Sequence, residues 1–415
     1  MTRKLENMNL YSIVIPTTRP RLVSDAIKSA LNQTYQHTEI IVSDNSEHGC
    51  EKVVASFNDS RIKYIRASGH SNVVDHWDFA MSHASGDWHM MLCDDDAIAP
   101  GLLSYINNEI ASHPDISSVS WRFASYFDGD QQDIARRNKL SIGAYTGEKT
   151  ICSCNDLLRK TYSTGTGLFG IRGFTPKKEI PYLPRAIYAK ITIDKFKRQT
   201  GGRLIIPSEA MLSPAIGIMM NSEFSMTIDL PMHVLGYPSD SNGAGRFFKG
   251  KDAFAKAING MSLDFVPVKT WIILPNISAD TLIRMQRMFK DQLGHYPLNW
   301  ANYFLACDGA LDQMDAINID TSEYRMAYSL ALATFDAKVR ADVLTGRQTK
   351  NGNLRIDEKF RNKSIAILQW LTKHFRGNYQ PNDRLFDTTE IGCNNVLDCA
   401  QYLGKTTSDV RGSYP

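Results

Sequence analysis

The first hundred residues alternate between short apolar runs and amphipathic stretches. "YSIVIPTT" is a near-continuous apolar run interrupted by Pro16, and Leu22, Ala26, Ile27, Ala30 and Leu31 then recur at helical spacing. "TEIIVSDNSEHG" predicts a second strand that stops at Asp44 in a polar turn. "CEKVVASFND" follows as a helix, "RIKYIRA" as a strand, "NVVDHWDFAMSHAS" as a helix stopped by Gly86, and "DWHMMLCDDD" as a fourth strand. Strands joined by connections of helical length lie parallel. Strands that are apolar on both faces suit the buried interior of such a sheet. Ligands of an open parallel sheet sit at the carboxyl ends of its strands. The polar tips Pro16-Thr17-Thr18-Arg19, Asp44-Asn45-Ser46 and Asp94-Asp95-Asp96 are therefore expected along one edge.

Farther on the pattern is less regular. "GLLSYINNEIASHP" predicts a helix and "SSVSWRFASYFDG" an antiparallel strand, followed by the Gly- and Thr-rich "TYSTGTGLFGIRGF". "SDSNGAG" (239–245) reads as a flexible break, and beyond it "SADTLIRMQRMFKDQLG", "SEYRMAYSLALATFDAKVRADVL" and "EKFRNKSIAILQWLTKHFRG" are helical. The expected organisation is an α/β domain over 1–245 and a mainly helical domain over 246–415.

Composition narrows the class. A chain of 415 residues can bury a sizeable core in two or three domains. Its net charge of +3 gives no reason to expect a nucleic-acid partner. No apolar run reaches the ~18–20 residues of a membrane span, and the N-terminus lacks the apolar core of a signal peptide. Seven scattered cysteines form no paired framework, which suits a reducing cytoplasm.

The acidic tip is the chemically unusual feature. If the fourth strand continues through it, Asp94 and Asp96 point to one face and Asp95 to the other. Crowded carboxylates repel one another unless a cation is present. Mg²⁺ or Mn²⁺ would resolve the repulsion, held by one or two carboxylates and substrate phosphates. A solvated turn capping the next helix is the plainer alternative.

Taken in order, "YSIVIPTTRP", "AIKSALNQTYQHTEIIVSDNS" and "RIKYIRASGHSNVVDHWDFAMSHASGDWHMMLCDDDAIAPG" resemble the opening of a family-2 glycosyltransferase. The resemblance is dense over about 8–110 and thinner to 245. It implies a GT-A fold, a Rossmann-like, mostly parallel sheet flanked by helices. About 8–120 would form the nucleotide-binding half and 121–245 the acceptor half. It implies a nucleotide-sugar donor, a UDP-sugar first among them, and a glycan or lipid-linked glycan acceptor, in bacterial surface polysaccharide or glycolipid synthesis at the cytoplasmic side of the membrane. Thr17, Asp44 and Asp75 would hold the base and ribose, Asp94 the ribose or cation, and Asp95 the sugar. Asp96 would bind the cation, with His233 as a late ligand. Glu209, the only acid in "LIIPSEAMLSPAIG", would be the general base, in a segment that departs from the family's commoner acid pairing. Each residue also has a structural alternative. Thr17 can cap a helix, Asp44 can form an Asx turn, and Asp75 can be an N-cap. Glu209 can complement a helix dipole, and His233, Trp77 and Cys93 can be core residues.

Between Arg172 and Arg203 nine basic residues (Arg172, Lys177, Lys178, Arg185, Lys190, Lys195, Lys197, Arg198 and Arg203) face only Glu179 and Asp194, among the aromatics Phe174, Tyr182 and Tyr188. The segment reads either as a solvated basic face or as a site for an anionic acceptor near an anionic membrane surface. A phosphatase of the haloacid-dehalogenase type would carry its Asp pair on the first strand. A nucleotidyltransferase would have glycine after that strand, where "IPTTRP" has none. A non-catalytic subunit that binds sugar nucleotides is the remaining alternative.

Overall fold

The computed structural model describes residues 8–67, 69–70, 72–130, 136–163, 180–239, 258–270, 273–316, 319–355 and 384–408. The chain divides into two compact units. The first comprises 1–157, 175–261 and 382–415, and the second 158–174 and 262–381. The division does not follow the 1–245/246–415 split: residues 158–174 fall in the second unit, the first runs on to 261, and the C-terminal segment returns to it.

The first unit is built from the expected alternation. Strand β1 (Tyr11–Thr17), helix α1 (Val23–Leu31), β2 (Thr38–Asp44), a short α2 (Glu51–Ala55), β3 (Ile62–Arg66), α3 (Val73–Ser82) and β4 (Trp88–Met91) follow in order. All seven residues of β1 and of β2 are buried, as expected of strands covered on both faces. On α1, Val23, Ala26, Ile27 and Ala30 are buried, one stripe at i, i+3, i+4 and i+7. Burying Val23 and Ile27 stabilises the unit by roughly 1.5–3 kcal/mol each. Helix α3 is capped by Asn72, whose side chain accepts the Asp75 N–H.

Parallel pairing sets the register. Tyr11 lies beside Thr38 and Trp88, and Thr17 lies level with Asp44, which lies level with Arg66. The strand order among the described residues is β11-β7-β6-β9-β4-β1-β2-β3. It includes β6 (Ile116–Phe127), β7 (Lys139–Ile142), β9 (Ala186–Ala189) and β11 (Arg384–Asp387), with β5 (Ala97–Ile98), β8 (Lys149–Ser153) and β10 (Phe224–Tyr237) branching from the path. The expected antiparallel character of "SSVSWRFASYF" is found against β7 and β9, whereas its pairing with β10 is parallel. A mixed sheet follows, parallel where the sequence alternates strand and helix and antiparallel beyond. Helix α4 (Leu102–Ser112) and a C-terminal helix at Val396–Thr406 cover this core, the latter burying Val396, Cys399, Ala400 and Leu403.

The second unit is helical among its described residues. Leu274–Met288, Trp300–Ala316, Ser322–Ala333 and Ala337–Arg355 are its main helices, around a core that includes Tyr303, Phe304, Leu311 and Tyr328. The helical text expected beyond 246 is thus present in this unit, but "EKFRNKSIAILQWLTKHFRG" lies outside the described residues.

Candidate active site at the strand tips

Strand β4 ends at Met91, so the three carboxylates occupy a turn before β5 rather than a continuing strand. The expected alternation of faces does not apply there: Asp94 and Asp95 share Arg19, and Asp96 turns to His233 and Gly236. Asp94 Oδ2 accepts from the Thr17 hydroxyl at 2.7 Å and from Arg19 Nε at 3.4 Å, while its Oδ1 pairs with the Arg19 guanidinium. Asp95 Oδ2 lies 2.9 Å from Arg19 Nη2. Asp96 Oδ2 lies 3.1 Å from His233 Nε2, and its Oδ1 accepts the Gly236 N–H at 3.0 Å. Asp94, expected to bind the cation with Asp96, is thus turned toward Thr17 and Arg19.

Cys93 Sγ and one oxygen each from Asp95 and Asp96 lie within 4.8 Å of one another. Burial raises the Asp95 pKa; Arg19 opposes this, while Asp96 and Asp94 add to it. A divalent cation would favour the charged carboxylates instead. Asp95 and Asp96 thus bring two carboxylates within 4.8 Å of one another, beside Asp94, which shares Arg19 with Asp95, and such oxygen donors would fit a hard divalent ion. Cys93 is half-buried, and its thiol is pushed well up by burial and then by the three acids.

Gly236 closes the turn from the β10 side. A Cβ there would stand 1.9 Å from the Asp95 carbonyl oxygen, so only glycine permits this approach. Sequence reading missed Gly236, and it placed Arg19 in the first polar tip without giving it a role. A glycine in an apolar strand is the signal for the first. An arginine following the first strand tip is the signal for the second.

The β2 tip is ordered by Asp44, which is fully buried. Its Oδ1 accepts from Ser46 N at 2.8 Å and Ser46 Oγ at 2.6 Å, and lies 3.1 Å from Arg66. Its Oδ2 accepts from Cys50 N at 2.5 Å and the Tyr64 hydroxyl at 2.8 Å. Burial alone would raise its pKa, but the bonds from Ser46, Tyr64 and Cys50 hold it down at about 2. The Asx-turn alternative describes this geometry, in which the carboxylate holds the loop that follows β2.

Asp75 is not the cap of α3; Asn72 is. The Asp75 carboxylate accepts from Asn72 Nδ2 at 2.8 Å and pairs with Arg203 at 2.8 Å. Burial would raise its pKa, but Arg203 and Asn72 lower it. Asp78, one turn on, accepts from the backbone of Leu204 and Ile205. The two acids therefore fasten α3 to the segment that leads to Glu209. Trp77 is half-buried.

Glu209 is 6% exposed and accepts from the Tyr182 hydroxyl. The Tyr182 pKa is raised well above the ordinary phenol range, first by burial and then by Glu209. Antiparallel pairing of β9 with β4, Met90 beside Ile187, brings the residues before β9 to the end of β4. Arg185 stacks 4.5 Å from the centre of the Phe123 ring, and it interacts electrostatically with Tyr182 and with Tyr237, which also feels Asp95 and Asp96.

Of the basic segment, Arg172, Phe174, Lys177, Lys178 and Glu179 lie outside the described residues. Lys190 to Arg198 fall on α6 (Lys190–Gln199).

The model of the family described as glycosyl transferase family 2 matches residues 12–167, which contain the Thr17, Asp44 and acidic tips. That part of the chain belongs to glycosyl transferase family 2. Two curated relatives also match. A protein of Escherichia coli K12 named for glycosyl transfer in colanic acid biosynthesis, WcaA, is 35% identical over 104 residues, 24% of this chain and 37% of the relative. The GalNAc(5)-diNAcBac-PP-undecaprenol beta-1,3-glucosyltransferase of Campylobacter jejuni is 37% identical over 102 residues, 23% of this chain and 33% of its own. The chain spans about a third of the length of these relatives. Among solved structures, S. aureus TarS 1-349 in complex with UDP-GlcNAc is 12% identical, with 82% of this chain and 92% of that one covered and a TM-score of 0.44. The mannosyltransferase PcManGT from Pyrobaculum calidifontis, in complex with GDP-Man and Mn²⁺, is 13% identical over 96% of this chain and 86% of its own, with a TM-score of 0.41.

Proposed function

We propose that the chain transfers a sugar from a nucleotide-sugar donor to an acceptor hydroxyl, inverting the anomeric centre, in bacterial surface polysaccharide or glycolipid synthesis. The observation that carries this reading is the acidic turn Asp94–Asp96 beside Thr17, at the carboxyl end of β4 in a family-2 domain. The names of the two curated relatives, one of colanic acid and one of an undecaprenol-linked glycan, support the acceptor class. No helix among the described residues is long and apolar enough to cross a membrane, and peripheral association at its cytoplasmic face accords with that.

Asp95 and Asp96 would hold the divalent cation, Mn²⁺ or Mg²⁺, with His233 and the Gly236 N–H fixing Asp96. When bound, the cation neutralises charge on the departing diphosphate. Thr17 and Asp94 set the floor of the donor site, and the β2 tip shaped by Asp44 takes the base and ribose with Asp75. Glu209 accepts the proton of the acceptor hydroxyl as that oxygen attacks from the face opposite the diphosphate. Tyr182 fixes the Glu209 carboxylate, so its orientation does not have to be found during the reaction.

A panel of UDP- and GDP-sugars, assayed for hydrolysis and transfer with Mn²⁺, Mg²⁺ or chelator, tests the reading. Cation-dependent turnover of at least one donor is expected, and Asp96→Ala should abolish it while leaving the circular dichroism spectrum unchanged. Equal turnover in chelator removes the cation, and no turnover of any donor removes the enzymatic reading in favour of a binding subunit.

A further inference from the structure

Arg19 is the only basic side chain among the described residues with an ion pair to the acidic turn, apart from the His233 imidazole on Asp96. Its guanidinium spans Asp94 and Asp95 as a fork, with Nη2 on both carboxylates and Nε on Asp94. The fork is anchored from below, because the Arg19 backbone N–H donates to Thr17 Oγ1 at 3.0 Å and that same hydroxyl donates to Asp94. The Arg19 side chain is 20% exposed, against 5% for Asp94 and 12% for Asp95. One of the acids it holds, Asp95, also belongs to the group of donor atoms that converge with Asp96.

This arrangement sets two cations against one carboxylate. With the guanidinium on Asp95, a divalent ion arriving alone finds Asp96 already shared with His233 and Gly236, and Asp95 already shared with Arg19. A donor diphosphate changes both sides of that competition. It supplies further oxygen ligands for the ion, and it offers the guanidinium an anion of matching fork geometry.

We propose that Arg19 is a positioning residue that couples cation binding to donor binding: it occupies Asp95 while the site lacks a diphosphate and releases it when one arrives. The inference rests on the glycosyltransferase reading. Its consequence is thermodynamic and reciprocal. Diphosphate must raise cation affinity by the same factor as the cation raises diphosphate affinity.

The coupling factor is the ratio of Mn²⁺ dissociation constants without and with saturating UDP or GDP, read by titration calorimetry and by the Mn²⁺ paramagnetic resonance signal. The wild type should show coupling of roughly 5- to 150-fold. Arg19→Ala should bind Mn²⁺ alone about tenfold more tightly, because a charge-assisted competitor is gone, and its coupling factor should fall by a similar amount. Arg19→Lys keeps the charge without the fork and should fall between; it also carries the test should the alanine variant fail to fold. If both variants shift Mn²⁺ affinity equally with and without nucleotide, Arg19 is only a fixed charge and the proposal is overturned. Mn²⁺ binding that behaves so leaves the glycosyltransferase reading standing, whereas a wild type that binds no Mn²⁺ with either nucleotide overturns the coupling and the cation site, and donor turnover in chelator then decides the glycosyltransferase reading separately.

Discussion

The Nε2 of His233 lies 3.1 Å from Oδ2 of Asp96, and neither side chain is appreciably exposed. The pair joins β10 to the acidic turn, because His233 is also level with Ile98 on β5, two residues beyond Asp96. The imidazole therefore sets the rotamer of the acid from behind, and the Gly236 N–H, three residues farther along β10, holds its other oxygen. Partners that orient a ligand in this way are worth about 10- to 100-fold in cation affinity. His233→Ala should lower Mn²⁺ affinity by about that factor, measured in the presence of nucleotide. Unaltered affinity would leave His233 as a core residue with no part in the site.

Glu209 is expected to act at the other end of the reaction. Glu209→Gln keeps the size of the side chain and a partner for Tyr182 but removes the proton acceptor. General bases contribute roughly 10² to 10⁴ in rate, so transfer should fall by about that much with donor affinity nearly unchanged. Near-normal transfer by the variant would refute the assignment. A product that retains the donor's anomeric configuration, read by proton NMR of the wild-type reaction, would exclude single displacement.

Much of the first unit was legible because its strands are apolar on both faces and its helices carry one apolar stripe, as in β1 and α1. Parallel pairing puts the Thr17 and Asp44 tips on one edge, and the observed register sets them level. What could not be read are contacts between segments far apart in sequence. Arg19 is 75 residues from Asp94, and Gly236 is 140 from Asp96. Periodicity carries no information about such pairs. The strand expected through Asp96 failed for a local reason. A strand running on to Asp96 would carry three consecutive acids, and the chain turns at Asp94 and Asp95 instead, where Arg19 takes these two acids and His233 and Gly236 take Asp96. The return of Val396–Thr406 to the first core was hidden too, since its apolar stripe reads the same whichever unit it covers.

Buried histidines give the first unit an acid-sensitive stability. His76 is 3% exposed, with Nε2 3.1 Å from the Ser43 carbonyl oxygen and 3.2 Å from Ser43 Oγ. Burial lowers its pKa from 6.5 to about 4, with the Ser43 carbonyl opposing. The folded pKa lies below the unfolded one, so between these values the unfolded chain binds more protons and stability rises with pH. Its contribution is complete above about pH 6.5 and is lost as pH falls toward 4, on the order of 3 kcal/mol in all. His89, also buried, is shifted the same way by burial and adds to the slope. Urea unfolding at pH 7 and pH 5 should show the loss, and His76→Gln should flatten it. A variant as acid-sensitive as the wild type would place the slope elsewhere.

Helix α6 presents the described part of the basic segment in an order that bears on the acceptor. Thr192, Ile193 and Phe196 are buried, so the opposite face looks outward. On that face Ile191, which is 67% exposed, stands four residues before Lys195 and seven before Arg198, both exposed. Lys197, half-buried, flanks them and lines a shallow depression with Asp194, Arg198, Gly201 and Gly202. Lys190 is paired with Asp194 at 2.5 Å and adds little. A projecting aliphatic side chain beside basic ones suits an anionic membrane surface or a lipid-linked diphosphate better than a neutral glycan. Each basic residue near such a surface is worth about 1 kcal/mol, so changing Lys195, Lys197 and Arg198 together to Gln should weaken binding to vesicles containing phosphatidylglycerol by about 10²-fold. Binding by the wild type should fade as salt shortens the screening length, while donor hydrolysis at the strand tips should be unaffected by the substitutions. Vesicle binding that is the same in the wild type and the triple variant, across a range of salt, would return this face to ordinary solvated surface.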